Sequence, residues 1–424
     1  MDENEDFESE NVDTLFFTGS SASEQKENSY LNEQFTYKQV GSIAKYVEPI
    51  SSLSSMDVVV EMFKRDDDLQ ALPVEEYDHV VGIIDRRTVL KATDSAWKRL
   101  TSGSVIDYTP RVEAIIYANE FIEKALPEVS KINHEYGIEY FPVFDGRNFF
   151  GIVRLDEFLA RMTDIREKDL DKASQIQTAQ FATAEELASL PYKVNVWNRM
   201  ANTLGGDMYL AHKVNENESI VGVFDVSGKN VAASLLTMTV PSFFKTLKYL
   251  KKFPRSAMET VSMLDDFLAN VVPPGNFITA ILCWINVHTH RMYIFNCGHT
   301  TCYLTYQEPA TGNPVKTAPI VPKLPPFGMG AIKEQLSKTE NSKERSFLAL
   351  EARRGIHLDF YSDGFTDMQN PDGRRYEEQS AFEFFTRLYT VPEEDFFNEV
   401  TKTVNKYIGE MLIPDDITIM DIRI

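Results

Sequence analysis

Ile220-Val221-Gly222-Val223-Phe224-Asp225-Val226-Ser227-Gly228-Lys229 is an apolar run that stops on a carboxylate and then turns through Ser-Gly. A continuous apolar run of this kind bounded by a turn signal reads as a buried strand, so Asp225 stands at a strand end. The pattern recurs on both sides. Upstream, Gly205-Gly206-Asp207-Met208-Tyr209 opens another strand with an aspartate, and downstream Ile356-His357-Leu358-Asp359-Phe360-Tyr361-Ser362-Asp363-Gly364 closes one. Pro414-Asp415-Asp416-Ile417-Thr418-Ile419-Met420 sets two carboxylates ahead of the last strand. Hard divalent cations such as Mg²⁺ and Mn²⁺ take carboxylate, carbonyl and water oxygens, and two of them about 3.5–4 Å apart activate a water. Short aspartate side chains at strand tips suit such ions, and Gly206, Gly228 and Gly364 allow the backbone to come close. One Asp-Gly pair alone is an ordinary turn. The set is what points to a metal site.

Further motifs keep the same order along the chain: Phe277-Ile278-Thr279-Ala280, Asn296-Cys297-Gly298-His299, Leu324-Pro325-Pro326-Phe327-Gly328, then Tyr361-Ser362-Asp363-Gly364-Phe365-Thr366-Asp367 followed by Asn370-Pro371-Asp372-Gly373. At these residues the sequence resembles the metal-dependent protein phosphatase superfamily (PPM, protein phosphatase 2C-like), in the bacterial branch of the sporulation phosphatase SpoIIE and the stress phosphatase RsbU. The resemblance implies an α+β fold: over residues 191–424, an α-β-β-α sandwich of two packed, mostly antiparallel sheets flanked by helices, with the metals at one end. It implies that Asp225 bridges two Mn²⁺ or Mg²⁺ ions beside the Val226 carbonyl. Asp207 would hold a water or the second ion, and Asp363 and Asp415 would complete the first ion's shell. Asp207 and Asp225 are thus the candidate catalytic pair. Asp416 is open between ligation and a hydrogen-bonded strand start. The sequence departs from the pattern at Asn230, where glycine is usual, at Cys297 for alanine, and at Ser362 for threonine; none of these removes an implied ligand.

The implied reaction is in-line attack of an activated water on a phosphoserine or phosphothreonine, with no covalent intermediate. No cysteine is followed by arginine at the spacing of a cysteine-dependent phosphatase, and no Gly-x-Ser-x-Gly elbow is present. His299 is read as a hydrogen-bonded turn residue rather than a general acid, and Lys229 as a solvated lysine rather than a substrate anchor. Phe243, Phe244 and Tyr249 are expected in the core. The implied substrate is a phosphorylated anti-sigma-factor antagonist-type protein. The competing class is a catalytically silent pseudophosphatase scaffold, against which the retained Asp207, Asp225, Asp363 and Asp415 argue; a nucleotide sensor with vestigial catalysis is a third.

Acidic residues outnumber basic ones 64 to 43, which repels nucleic acid and anionic membrane surfaces and favours a protein partner. Cys283, Cys297 and Cys302 are too few for a disulfide framework and fit a reducing, cytoplasmic setting. Residues 1–39 are acidic and Ser/Asn-rich, and are expected to form a disordered tail. They lack the basic and apolar blocks of a signal peptide, and nothing later approaches the ~18 apolar residues of a membrane helix.

Residues 40–163 repeat one pattern of helix, strand, turn, strand and helix. The first copy takes Met56–Phe63 as helix, Leu69–Val74 and His79–Ile84 as strands, and a helix from near Arg87. The second takes Ala114–Asn133 as helix, then Tyr140–Phe144, an Asp145-Gly146 hairpin turn, and Phe149–Val153. The repeat resembles a tandem pair of CBS modules, an α/β regulatory domain that often binds adenosine compounds. Asp85 and Thr88 in one copy, and Arg154 and Glu157 in the other, stand where such modules place a Thr/Ser and the ribose-binding Asp. The usual carboxylate is missing or substituted, which leaves an adenine nucleotide and a purely structural or dimerising role both open. From Asp156 to Leu190 the composition predicts one long helix, with residues 164–190 as linker. Leu159, Met162, Ile165, Leu170, Ala173 and Ile176 line one side, open between homodimer packing and a solvated spacer.

Overall fold

The computed structural model describes residues 34–89, 103–111, 114–228, 231–307, 314–339 and 345–424. The chain divides into two compact units between Asp169 and Leu170. In the first, the sequence repeat is present as two copies of one small sheet. One copy is β1 (Ile50–Ser51), β2 (Ala71–Glu76) and β3 (His79–Asp85); the other is β4 (Ile116–Tyr117), β5 (Tyr140–Asp145) and β6 (Asn148–Arg154). In each, the short first strand runs parallel to the second, and the second pairs antiparallel with the third. Helices α1 (Met56–Arg65) and α2 (Ile122–Tyr136) bury Met56, Val59 and Phe63, and Ile122, Ala125 and Val129, at helical spacing.

Two expectations for this unit need correction, and one turn differs between the copies. The helix expected from Ala114 begins only at Ile122, because Ile116 and Tyr117 are committed to parallel pairing with Val143 and Phe144. The first hairpin turns without glycine, through Tyr77 and Asp78 at φ 52° and 60°, whereas the second uses the expected Gly146 at φ 60°. Packing also starts ahead of residue 40: Phe35 stands edge-on to Phe150 at 5.3 Å, and Arg161 donates to the Tyr37 carbonyl at 3.0 Å. The rest of the expected tail lies outside the described residues, as do Lys229 and Asn230.

Helix α3 (Leu155–Thr178) buries Phe158, Met162 and Ile165, while Leu159 and Ile176 of the expected stripe are exposed. It does not reach Leu190. Thr183 starts a separate helix, α4 (Ala184–Ala188), through a capping box in which its hydroxyl accepts from the Glu186 amide and the Glu186 carboxylate accepts from the Thr183 amide.

The second unit has two five-stranded sheets. One is ordered β14 (Leu348–Glu351), β11 (Arg291–Cys297), β10 (Ile278–Asn286), β9 (Glu218–Val226), β8 (Asp207–Lys213); the other β13 (Lys316–Ile320), β12 (Cys302–Tyr306), β15 (Ile356–Tyr361), β16 (Ile417–Arg423), β7 (Lys193–Arg199). All their pairings are antiparallel. The strands are apolar on both faces because both are covered. Val221, Val223, Ile281 and Cys283 join Leu358, Phe360 and Ile422 in the inter-sheet core. The alternate residues Ile220, Phe224, Leu282 and Trp284 pack beneath α5 (Val231–Thr237), α6 (Thr239–Leu250) and α7 (Ala257–Val271). On the far side, α10 (Glu377–Leu388) and α11 (Phe396–Ile408) cover the second sheet, after α8 (Ile332–Thr339) and the short α9 (Gly364–Asp367). The α-β-β-α order anticipated from the sequence is therefore present. Phe243 and Phe244 are core residues as expected, but Tyr249 is not: it is 86% exposed at the end of α6, which Lys251 closes at φ 53°. Among the described residues no helix is long and apolar enough to cross a membrane.

Candidate active site

Adjacent antiparallel strands place the end of one beside the start of the next, so β15 and β16 bring Asp363 and the Asp415-Asp416 pair to one edge of their sheet. Gly364 permits the approach, because a side chain there would collide with the Asp416 carbonyl oxygen. In the facing sheet, Asp225 ends β9 with Asp207 opposite it on β8 and Thr279 opposite it on β10. The turn that follows is held by Ser227, whose hydroxyl accepts from the Phe277 amide at 2.9 Å, and by Gly228 at φ 108°. Asp225, Val226, Asp363, Asp415 and Asp416 line one cavity of about 260 Å³.

The two members of the Asp415-Asp416 pair have different surroundings. Asp416 is buried and accepts from the amides of Ala201 at 2.7 Å and Gly206 at 2.6 Å, with Asp207 at 3.4 Å. It is a backbone anchor that fixes the Gly205-Gly206-Asp207 loop. Ser362, which stands in for threonine, keeps the hydroxyl function: it donates to the Asp416 carbonyl at 3.2 Å and accepts from the Thr418 amide at 2.9 Å.

Asp207 stands one position back from the cavity. It is 3% exposed and accepts from the Thr418 hydroxyl at 2.7 Å, which in turn accepts from Asn198. Burial pushes its carboxyl well above the ordinary range, and Asp225 and Asp416 push it further. Among the described residues no group of three or more His, Cys, Asp or Glu side chains is already gathered around an ion position. The donor chemistry nevertheless suits a hard divalent cation. Asp225, Asp363 and Asp415 from three strand ends line one cavity together with Val226, and a positive charge there would reverse the penalty on Asp207.

His299 is buried between two partners, Thr279 Oγ1 at 3.0 Å from Nδ1 and the Tyr361 carbonyl at 2.9 Å from Nε2. A carbonyl only accepts, so Nε2 carries the proton and Nδ1 accepts from Thr279. Burial lowers the imidazole pKa to about 4, against a smaller upward pull from the Tyr361 carbonyl. The turn-residue reading of the sequence agrees with this geometry. Because the folded pKa lies below the unfolded one, the stability of this arrangement is present above about pH 6.5 and is lost as pH falls toward 4. Imidazole ¹⁵N shifts should report a neutral, Nε2-protonated ring at pH 5.5; an imidazolium there would refute the assignment.

Gln177 was not foreseen. It lies in the last turn of α3 with 1% exposure, donates to the Gly205 carbonyl at 2.6 Å and to Thr237 Oγ1 at 3.0 Å, and accepts from the Gly205 amide at 3.2 Å. One side chain thus links the end of α3 to the Asp207 loop and to α5. No sequence signal marks a glutamine in a polar helix as buried.

Residues 215–424 match the family model of SpoIIE, stage II sporulation protein E, and residues 40–95 match that of the CBS domain. Among curated proteins none matches the chain. Among solved structures, the SiaA-PP2C domain of Pseudomonas aeruginosa aligns with a TM-score of 0.51 and 18% identity, covering 62% of this chain and 98% of that one. The PP2C phosphatase domain of SpoIIE from Bacillus subtilis, with a fragment of its regulatory domain, aligns with a TM-score of 0.41 and 14% identity, covering 55% of this chain and 64% of that one. The likeness to the first is a likeness of fold.

Proposed function

We propose that the chain, whose residues 215–424 match the SpoIIE family model and whose residues 40–95 match that of the CBS domain, is a PP2C-like phosphatase that hydrolyses phosphoserine or phosphothreonine on a regulatory protein. The observation that carries the proposal is the convergence of Asp225, Asp363 and Asp415 from three strand ends on one cavity. Asp225, the Val226 carbonyl, Asp363 and Asp415 would hold Mn²⁺ or Mg²⁺, two ions being expected, with Asp207 behind them. Such ions, when bound, lower the pKa of a water and neutralise phosphoryl charge. The chain's own part is positioning. Asp416 fixes the loop that presents Asp207, Ser227 fixes the turn after Asp225, and the neutral His299 orients Thr279 beside Asp225.

An anti-sigma-factor antagonist-type phosphoprotein is the proposed substrate, and the excess of acidic over basic residues supports a protein partner rather than nucleic acid. We assign residues 40–163, with the packed residues 34–39 ahead of them, as the regulatory domain, 164–190 as the linker and 191–424 as the phosphatase domain, with homodimerisation through the CBS pair and α3. The exposed Leu159 and Ile176 support the latter. Nucleotide binding gains no support from Glu157, which is occupied by Lys45 at 2.6 Å and by the Arg154 amide at 3.0 Å. Three buried, free cysteines accord with a reducing cytoplasm. The test is turnover of a phosphoserine peptide by the full-length chain. Turnover is expected with Mn²⁺ or Mg²⁺, absent in EDTA and restored on adding the metal back; hydrolysis that survives EDTA would refute the proposal.

A further inference from the structure

Away from the candidate site, two carboxylates face each other inside the second sheet. Asp359 on β15 and Asp421 on β16 are directly opposed across the pair, at 1% and 0% exposure. Asp421 has a counter-charge, because Arg423 Nε donates to its Oδ2 at 2.5 Å. Asp359 has no such partner. Both its oxygens and Oδ1 of Asp421 are buried with no hydrogen bond. Two carboxylates directly opposed in a buried sheet, with one guanidinium bonded to only one of them, do not both stay ionised.

Among the described residues Arg423 is the cation that acts on the pair. Asn195 on β7 lies opposite Asp421, and Tyr303 on β12 lies opposite Asp359. On the same face of β15 stand His357, whose ring is 4.6 Å from Tyr389, and Tyr361, whose ring is 5.1 Å from Phe385 of α10. Cys302 and Glu393 complete the titratable groups near the pair. His357 Nδ1 is 3.5 Å from Asp421 Oδ1; burial and Arg423 lower its pKa to about 4, so the ring is neutral at neutral pH and brings no positive charge to the pair.

We infer that Asp359 is protonated in the folded protein and donates its O–H to Asp421, a carboxyl–carboxylate pair that ties β15 to β16. One proton makes Asp359 a donor and gives Asp421 Oδ1 something to accept, which partners two of the buried atoms here that otherwise make no hydrogen bond. Burial pushes the Asp359 carboxyl well above its ordinary range, and Asp421 pushes it in the same direction. The pair lies on the two strands whose ends carry Asp363 and Asp415, so alkaline loss of the proton weakens the seam that presents them. Since the folded pKa lies above the unfolded one, the stability from this proton is full at low pH and is lost as pH rises through the folded pKa.

Infrared spectra of the full-length protein at pH 7 should show a neutral-carboxyl C=O band that Asp359→Asn removes. The asparagine amide makes the same donation and cannot ionise, so the Tm of the variant should gain roughly 5 °C on the wild type between pH 5 and pH 9. Absence of the band in the wild-type protein, parallel Tm profiles for a folded variant, or a His357 imidazolium at pH 7 would each overturn the inference. Because burial also pushes Asp207 toward its neutral form, the spectrum of Asp207→Asn is recorded beside the wild type, and a neutral-carboxyl band missing from that variant would overturn the inference even if Asp359→Asn fails to fold.

Discussion

Asp225→Asn is expected to lower kcat on a phosphoserine peptide by about 10³-fold at saturating Mn²⁺, with unchanged Tm. Asp225 has the central position: it ends β9, lines the cavity and is flanked by Asp207 and Thr279 on the neighbouring strands. Replacing one carboxylate oxygen by an amide keeps the volume and the strand pairing but removes the negative charge that a cation needs. Electrophilic stabilisation by a bound ion contributes several kcal/mol, and each 1.36 kcal/mol is about a factor of ten in rate, which sets the size of the effect. Stopped assays with a dose series of Mn²⁺ measure it. Wild-type turnover by the variant would remove Asp225 from the site and place the reaction on other residues.

Asp416→Ala is expected to act through a different route and to cost both stability and activity. Its carboxylate accepts from the Ala201 and Gly206 amides, with the Asp207 amide close by, so it holds from one side the loop that Gln177 holds at Gly205. Hydrogen bonds to a charged acceptor contribute about 1.5–3 kcal/mol each, and buried amides left unmatched lose more than the bond itself. A loss on the order of 3 kcal/mol follows, or roughly 10 °C in Tm for a domain of this size. Asp416→Asn, which retains one acceptor oxygen, should recover part of the Tm. Calorimetry on both variants separates the outcomes: if Asp416→Ala melts with the wild type but loses its response to Mn²⁺, the residue is a ligand instead of an anchor.

These two substitutions divide what was legible in the sequence from what was not. The strand ends at Asp207, Asp225, Asp363 and Asp415 are local features, written in apolar runs that stop on a carboxylate beside glycine, and the four-layer order was legible through the family resemblance that the ordered motifs carry. The repeat in residues 40–163 was visible for the same reason, since each copy carries its own pattern. The misreadings occurred where a local propensity met a distant competitor. Helix α2 starts late because Ile116 and Tyr117 pair with β5, and α3 ends early because Gln177 turns inward to Gly205 while Thr183 caps a new helix. Tyr249 was placed inside by its apolar neighbours, yet it falls on the outer face of α6, where α7 and the sheet do not reach it.

By itself the sequence determined which residue types stand at which strand ends, because a strand needs only its own side chains to declare its faces and its turn. The division of labour among the carboxylates was decided by the tertiary structure. Asp416 is a backbone anchor because Ala201 and Gly206 arrive from 215 and 210 residues away. Asp359 and Asp421 must share a proton because β15 and β16 set them opposite each other in the core. Charge, proton and hydrogen bond are settled by what lies across the sheet, and that partner is not adjacent in the chain.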